Sequence, residues 1–212
     1  MDRPNRFVAR VRLRGEVVEA HLPNPGRLTG TVSPGCPVLL DGPFPAPRRL
    51  AWTMVAAREP RAWVGTVTTY ANRVFPSLWR GGLLPELDGE SLRAEVAHGR
   101  SRFDFRVGEA FVEVKSVTLL RDGAGLFPDA VTARGARHCD ELARLARRGH
   151  AVAIAFVAQR GDVASVAPED DIDPGFGRAI RAAARAGVRV LACALEMTPD
   201  GATSARRIPV LL

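Results

Sequence analysis

Two acids and one lysine have the types and spacing of a metal-assisted hydrolytic site. Asp104 lies in one predicted strand, and Glu113 and Lys115 lie in the next, across a turn over residues 106–109. Side chains alternate along a strand, so Glu113 and Lys115 point the same way, and a hairpin of this length brings Asp104 beside Glu113. Carboxylates are hard oxygen ligands for Mg²⁺ or Mn²⁺, and a lysine amine can orient or deprotonate an attacking water. The pattern predicts a metal site at Asp104 and Glu113, with Lys115 as the third catalytic residue.

The context of this lysine separates the site from an ordinary ion pair. An acid two residues before a lysine is common, and a structural ion pair is its usual explanation. Here, however, Lys115 is the only lysine in a chain with 29 arginines. Arginine does not replace lysine where a compact, deprotonatable amine is required. The apolar residues around the motif are also expected to bury Glu113 and Lys115. Burying charged side chains costs free energy, which indicates that these two have a function.

Other polar residues are candidates for supporting roles, each with a plain alternative. Glu95 could supply a third carboxylate or could simply face solvent. Gln159, after a predicted buried strand, could orient the metal-bound water or the metal ligands, or it could be a surface amide. His138 and Glu141, three apart on a predicted helix, could ligate a metal, although a hydrogen-bonded pair is the more usual use. His21 could face the site or cap its own loop.

The first part of the chain, residues 1–80, is predicted to be an OB-like β-barrel that binds nucleic acid. Five β-rich segments follow one another with no helix between the early ones, which is typical of a small barrel. A helix over Ala71–Trp79 closes this part, and Gly81-Gly82 is predicted to be an exposed linker. The segments are Arg6–Leu13, Glu16–Leu22, Val38–Asp41, Arg48–Arg58 and Arg61–Thr69, and Pro23–Arg27 is a loop.

The second part, residues 81–212, has the order of an α/β domain. Strands come first and then alternate with helices, and Val152–Ala158 is apolar throughout, as expected for a strand buried on both faces. The helices are predicted over Thr132–Arg148 and from Asp173-Pro174 to Ala186. The strands are Leu92–Ala97, Phe103–Val107, Ala110–Leu119, Val152–Ala158 and Val188–Leu195, with Ile208–Leu212 as an edge.

Positive charge is concentrated in the first 80 residues. They hold twelve arginines and five acids, whereas bases and acids balance over residues 81–212. Such a charge predicts a polyanion partner, which we take to be DNA, with single strands or RNA left open, although a solvated basic surface is the alternative. The candidate nucleic-acid contacts are Arg6, Arg10, Arg12, Arg27 and Arg102.

The remaining sequence features exclude several other classes. No apolar run is long enough to span a membrane, and no signal peptide is apparent, so we expect a cytoplasmic protein without a membrane partner. Three widely spaced cysteines form neither a disulfide framework nor a zinc motif. No serine-protease motif, phosphate-binding glycine loop or helix-turn-helix pattern occurs. A homodimer remains open.

Several stretches, in order along nearly the whole chain, are similar to the sugar fermentation stimulation protein A family. They begin with Ala20–Leu28 and Gly99–Phe105, continue with Val112–Leu119 and Phe127–Gly135, and end with Phe156–Arg160 and Asp173-Pro174. The resemblance implies an OB-like domain followed by a PD-(D/E)xK restriction-endonuclease-like α/β domain, with Asp104, Glu113 and Lys115 at the nuclease motif. One departure is Cys139-Asp140, where an apolar residue is expected after the helix histidine.

The resemblance also leaves two functions open. The family is described as DNA-binding and linked to regulation of sugar (maltose) genes. An intact acid, acid and lysine set favours a metal-dependent nuclease, because an idle site has no physical need to keep three costly charges together. The alternative is a non-catalytic DNA-binding regulator that retains a nuclease fold.

Overall fold

The computed structural model describes residues 2–99 and 101–212. Within them the chain forms two six-stranded sheets, a small three-stranded sheet and three α-helices. Each of these three helices is too short or too polar to span a membrane.

The first sheet occupies the N-terminal third of the chain. Its strand order is β1-β2-β3-β5-β4, and β6 pairs with the last residues of β5. Strands β3 and β5 run parallel over two residue pairs, and the other neighbouring strands are antiparallel. Alternate residues of β2 and β3 point inward to a small core that also contains Leu22, Leu28 and Met54. The strands are β1 (Asp2–Asn5), β2 (Val8–Leu13), β3 (Glu16–His21), β4 (Val38–Asp41), β5 (Trp52–Arg58) and β6 (Trp63–Gly65).

The described strands of this predicted OB-like barrel do not pair into a closed barrel. Among them, no pairing joins β1 to β4, so the sheet has two edges. The segment between β3 and β4 instead folds over the sheet and inserts Leu22 and Leu28 into its core, each no more than 2% exposed. The element order expected from sequence is otherwise found, with β1 as an additional strand and β6 much shorter than the predicted run.

The second sheet has the order β15-β14-β12-β9-β8-β7, with parallel pairs β9/β12 and β12/β14 at its centre. All seven residues of β12 are buried, as its apolar run predicted. The C-terminal edge differs from expectation, because β15 precedes Pro209 rather than following it. The strands are β7 (Leu92–His98), β8 (Ser101–Val107), β9 (Ala110–Val117), β12 (Val152–Ala158), β14 (Arg189–Thr198) and β15 (Gly201–Ile208).

Helices cover both faces of this second sheet. Helix α1 (Tyr70–Arg80) packs on one face, and α2 (Ala133–Arg147) and α3 (Pro174–Arg185) pack on the other. Side chains of β12 alternate between the two layers, with Ala155 facing α1 and Ile154 facing α2 and α3. The Thr132 hydroxyl accepts the Gly135 N–H and so caps α2, and Asp173 caps α3 in the same way. The result is a three-layer α/β domain.

A small sheet that was not predicted lies beside the end of β9. Strand β10 (Leu119–Arg121) pairs with β11 (Ala124–Phe127), and β11 runs parallel to β13 (Ser165–Pro168). It carries the chain from β9 to the loop at residues 128–132, just before α2. The loop is thereby held at the carboxyl end of β9.

The division between the two cores falls before α1 and not at residue 80. The buried side of α1, including Phe75 and Leu78, belongs to the core of the second sheet. Gly81 and Gly82 donate their N–H groups to Ser77 O and Trp79 O and end that helix, so they are not an interdomain linker. The segment joining the sheets, residues 66–69, is instead tied to both of them.

Candidate active site

The strand hairpin opens just where Asp104 and Glu113 lie. The ladder between β8 and β9 runs only as far as Phe105 opposite Val112. Beyond it, the Asp104 carboxylate takes the place of a backbone acceptor, because its Oδ2 accepts the Val114 N–H at 2.8 Å. Its Oδ1 accepts the side-chain amide of Asn72, on α1, also at 2.8 Å. Asp104 is therefore held rigidly on both oxygens.

Glu113 and Lys115 form a buried pair on the same face of β9. Lys115 Nζ donates to Glu113 Oε1 at 2.6 Å. The Lys115 side chain is 12% exposed and that of Glu113 is 5% exposed. His138, on α2, bonds the same Glu113 oxygen through Nδ1, which also lies 3.5 Å from Lys115 Nζ. Arg134, one turn earlier on α2, contacts the other ring nitrogen of His138 at 3.4 Å.

These surroundings move the pKa values of the two acids in opposite directions. Burial raises the pKa of Asp104, and the charge of Glu113 adds to that rise, against the hydrogen bonds from Val114 and Asn72 and the charge of Lys115. Burial also opposes ionisation of Glu113, but the bonds and charges of His138 and Lys115 outweigh it and lower its pKa. The charge of Glu113 thus disfavours ionisation of Asp104, and a bound cation would offset that effect.

A cleft of about 520 Å³ opens over this pair between the two domains. Asp104 and Glu113–Ser116 line it from the second sheet. One side comes from the N-terminal domain, with Arg6 and residues 24–26, and the other from residues 127–132 with Arg134. The site therefore faces basic side chains from both parts of the chain.

The loop over residues 23–28 forms a fixed wall of the cleft. Asn24 is 3% exposed, donates to Thr66 O and accepts the Gly26 N–H. The Leu28 N–H is donated to Asp129 Oδ2 across the cleft at 3.2 Å. Gly26 packs so closely on Asp129 that a Cβ would lie 2.0 Å from the same oxygen. This position therefore needs glycine for close approach rather than for an unusual backbone angle.

Two predicted supporting residues lie elsewhere. Glu95 has a left-handed backbone, with φ of 55°, and its exposed carboxylate pairs with Arg102 at 2.7 Å instead of joining Asp104. Gln159 is neither a surface amide nor a cleft residue. It is fully buried, and its Nε2 donates to Val67 O at 2.8 Å and to Ser116 Oγ at 2.7 Å, so it ties the connector between the domains to β9.

Of the two candidate histidines, only His138 lies at the site. His138 belongs to the site through Glu113, whereas Glu141 is not among the residues lining the cleft. His21 is half-buried opposite Val8 and does not line it either. Asn72 and Asp129 were missed, and only the position of Asp129 within the 127–135 motif could have marked the second of them.

The predicted nucleic-acid arginines do not share one surface. Arg6 lines the cleft and Arg27 lies next to it. Arg10, however, is paired with Glu19 at 3.3 Å and Asp2 at 3.7 Å, and Arg12 lines a separate groove on the N-terminal sheet. Alternation along β2 places Arg10 and Arg12 on an exposed face of mixed charge. The N-terminal arginines at or beside the cleft, Arg6 and Arg27, therefore come from a turn and a loop rather than from this face of β2.

The side chains near Asp104 could hold a divalent ion only with help from water or backbone oxygens. Within residues 2–99 and 101–212, no group of three or more His, Cys, Asp or Glu side chains is placed to bind a metal. Two carboxylates are nevertheless enough for Mg²⁺, which usually keeps several of its waters. The repulsion between Asp104 and Glu113 fits such an ion, so the donor set is compatible with it.

Comparison with known proteins covers nearly the whole chain. Residues 1–66 match the model of the SfsA N-terminal OB domain, and residues 69–201 match that of the sugar fermentation stimulation protein RE domain. A sugar fermentation stimulation protein homolog from Geobacter sulfurreducens is 44% identical over 215 residues, which cover 99% of this chain and 93% of that protein. One from Geotalea daltonii is 39% identical over 217 residues, covering 99% and 94%.

A solved structure is similar over the same extent. It is the structure of Pyrococcus furiosus SfsA in complex with Ca²⁺, with a TM-score of 0.88 and 29% identity, covering 99% of this chain and 93% of that one. The two family models meet at residues 66–69, which is also where the two hydrophobic cores divide.

Proposed function

This chain belongs to the sugar fermentation stimulation protein family, and from that premise we propose that it is a sequence-nonspecific DNA-binding protein and a metal-dependent nuclease. Its catalytic residues are Asp104, Glu113 and Lys115, in a PD-(D/E)xK-type site. Its cofactor is Mg²⁺ or Mn²⁺, held by Asp104 and Glu113. The reaction is hydrolysis of a phosphodiester bond.

The observation that carries the proposal is the buried cluster at the opening of the β8–β9 hairpin. Lys115 reaches Glu113 at 2.6 Å, and the charge of Glu113 raises the pKa of Asp104 nearby. Keeping three charged groups together in a largely buried position costs free energy, which a functional site justifies and a structural ion pair does not require.

The proposed metal ion is supported by the chemistry of the donors and by a relative. Ca²⁺, Mg²⁺ and Mn²⁺ all prefer oxygen ligands, and the Pyrococcus furiosus protein was solved in complex with Ca²⁺. When bound, such an ion polarises a phosphate oxygen and lowers the pKa of a coordinated water. Asn72 and Val114 fix the Asp104 carboxylate, and His138 fixes that of Glu113, so both acids are oriented before any ligand arrives.

Lys115 and the basic walls supply the remaining parts of the mechanism. The Lys115 ammonium lies at the floor of the cleft, where it can orient the attacking water and offset charge that develops on the phosphate. Arg6 and Arg134 flank the same space and bind the phosphates on either side. These contacts address the sugar-phosphate backbone, so we expect little dependence on sequence.

A second candidate is a DNA-binding regulator without catalytic activity. One observation favours it. Both oxygens of Asp104 and one of Glu113 already accept hydrogen bonds from protein donors, so the acids are satisfied without a metal ion. On this alternative, the cleft binds DNA but does not cut it.

The two candidates are separated by incubating the whole protein with labelled single- and double-stranded DNA, with Mn²⁺ and with EDTA. The nuclease proposal predicts cleavage in Mn²⁺ only, and its loss in Asp104→Asn and Glu113→Gln with DNA binding retained. Binding without cleavage by any of the three proteins would favour the regulator.

A further inference from the structure

A hairpin tip beside the cleft presents one cation and one exposed aromatic ring. Arg6 and Phe7 are the two residues of the turn between β1 and β2, and the Phe7 N–H bonds the Asn5 side chain at 2.9 Å, which fixes the turn. Arg6 lines the cleft, and Phe7 is 46% exposed. A solvent-exposed aromatic ring next to a cation is a combination that binds unpaired nucleotides.

The cleft continues into a second concavity of about 340 Å³, which we call the arginine trough. It is lined by Arg3, Asn5, Arg6 and residues 25–27, and it shares Arg6, Pro25 and Gly26 with the cleft. Arg3 donates to the carbonyl oxygens of Arg6 and Arg27 and so holds these two segments together. Arg6 and Arg27 form no salt bridge within the described part of the chain, which leaves both charges available to phosphates.

The acid beside the trough, Asp129, lines the cleft and its charge acts on Arg3, but it forms no salt bridge with Arg6 or Arg27 in the described part of the chain. Its carboxylate accepts the Leu28 N–H and packs against Gly26, so part of its hydrogen-bonding capacity is already used within the protein. The path from the arginine trough to Lys115 therefore carries cations at Arg27, Arg6 and Lys115 in succession.

The dimensions of the site favour one strand over two. Glu113 and Lys115 are largely buried, so a phosphate must enter the cleft to reach them. A cavity of about 520 Å³ holds a ligand of drug-like size, which corresponds to one or two nucleotides. Val131, at the opposite rim, is an apolar residue 71% exposed, and it offers a base a second contact. In a duplex the base faces are stacked inside and reach neither Phe7 nor Val131.

We infer that the ligand of this cleft is a single polynucleotide strand, which runs over the arginine trough with its phosphates on Arg27 and Arg6 and one base stacked on Phe7. The inference rests on the proposed function and specifies its substrate. The shared chemistry is that of single-stranded DNA and single-stranded RNA, and OB-type domains are suited to both.

The test measures binding without cleavage. Fluorescence anisotropy in EDTA compares a labelled oligothymidylate, an oligouridylate and a DNA hairpin duplex, with the full-length wild-type protein. We expect either single strand to bind at least about tenfold more tightly than the duplex. We also expect Phe7→Ala to weaken strand binding about 5- to 150-fold, the range for one stacked base, and Phe7→Trp to restore it.

Matched controls come from the same domain. Val17 is 65% exposed on the N-terminal sheet away from the cleft, so Val17→Ala should bind like wild type. The double variant Arg6→Gln with Arg27→Gln should make the slope of log K against log salt concentration less steep, by about 0.7 for each phosphate that the protein no longer neutralises. Arg12→Gln should leave this slope unchanged. Equal or tighter binding of the duplex, or equal effects of Phe7→Ala and Val17→Ala, would overturn the inference.

Cleavage assays in Mn²⁺ keep this inference distinct from the proposed function. If the duplex is cut and single strands are not, the nuclease proposal stands and the inference is wrong. If single strands bind through Phe7 but no substrate is cut, the inference stands and the nuclease proposal is wrong.

Discussion

Arg160 is expected to be the strongest single tie between the two domains. It is 1% exposed, and its guanidinium donates five hydrogen bonds. Two go to Glu59 in the N-terminal domain, two to Asp162 and one to Thr118 O. Because Glu59 lies between β5 and β6, this cluster joins the first sheet to the end of β12.

The size of the effect follows from what Arg160→Met would leave behind. Glu59 and Asp162 are 16% and 13% exposed, and both would lose their counter-ion while remaining largely buried. Removing one partner from such a buried charged network costs about 3–5 kcal/mol of unfolding free energy. A domain of ordinary stability has about 5–15 kcal/mol in total, so the loss should be large.

A surface pair with the same geometry provides the control. Arg181 also donates two bonds to one carboxylate, that of Asp170, at 2.9 and 2.7 Å, but these side chains are 33% and 47% exposed. Exposed pairs contribute up to about 1 kcal/mol, so Arg181→Met should change little. Arg160→Lys keeps the positive charge but lacks the planar guanidinium, so its loss of unfolding free energy should lie between those of Arg160→Met and Arg181→Met.

Urea unfolding followed by far-UV circular dichroism at pH 7 measures all three variants. Burial opposes ionisation of Asp162, but its bonds to Arg160 prevail and lower its pKa. This contribution is therefore present above the ordinary carboxyl pKa and is lost as the pH falls through the lowered one. The reasoning is refuted if Arg160→Met and Arg181→Met lose equal stability at pH 7, within about 0.5 kcal/mol, the usual scatter for neutral surface changes.

Three further predictions concern the cleft. Lys115→Arg should keep nucleic-acid binding in EDTA and lose about 100-fold or more in cleavage rate, and an unchanged rate would remove Lys115 from the chemistry. Asn72→Ala should weaken Mn²⁺ binding by about 10- to 100-fold in a calorimetric titration. The hydrogen bond from Asn72 lowers the pKa of Asp104, so Asn72→Ala should also move the acid limb of the plot of cleavage rate against pH to higher pH. An acid limb at the wild-type pH would contradict this prediction. Gly26→Ala should cost about 1–3 kcal/mol through its clash with Asp129, as measured by urea unfolding. Adding Asp129→Ala should recover part of that loss, and purely additive effects would exclude the contact.

The elements that local patterns describe well were predicted from sequence. The uninterrupted apolar run of β12 and the capped starts of α2 and α3 depend on residues close together in the chain. The spacing of Glu113 and Lys115 likewise placed both on one face of β9, where the amine meets the carboxylate. These features needed no knowledge of distant contacts.

The parts that failed depend on contacts between distant residues. The bond from Asn72 to Asp104, across 32 residues, and that from Leu28 to Asp129, across 101, have no signature in periodicity. Glu95 was misplaced because strand alternation assumes an ordinary backbone, and its positive φ turns the carboxylate out to Arg102.

The domain boundary was misplaced for a related reason. Gly81-Gly82 has the composition of a linker, but in the structure it ends α1. The actual connector at residues 66–69 contains Thr66, which is fully buried, and it has no glycine or proline to mark it. Composition identifies flexible linkers, whereas a connector held by hydrogen bonds from both sides resembles the rest of the chain.

The most direct test of the nuclease proposal is a single-turnover cleavage time course in Mn²⁺ with an end-labelled oligonucleotide and excess protein. Wild type and Asp104→Asn, purified side by side, are compared under conditions where both bind all of the substrate. The account predicts cleavage by wild type that EDTA abolishes, and a rate at least about 100-fold lower for Asp104→Asn, since a metal ligand and the chemistry it supports are lost. Full binding with no cleavage by wild type, or equal rates for the two proteins, would contradict it.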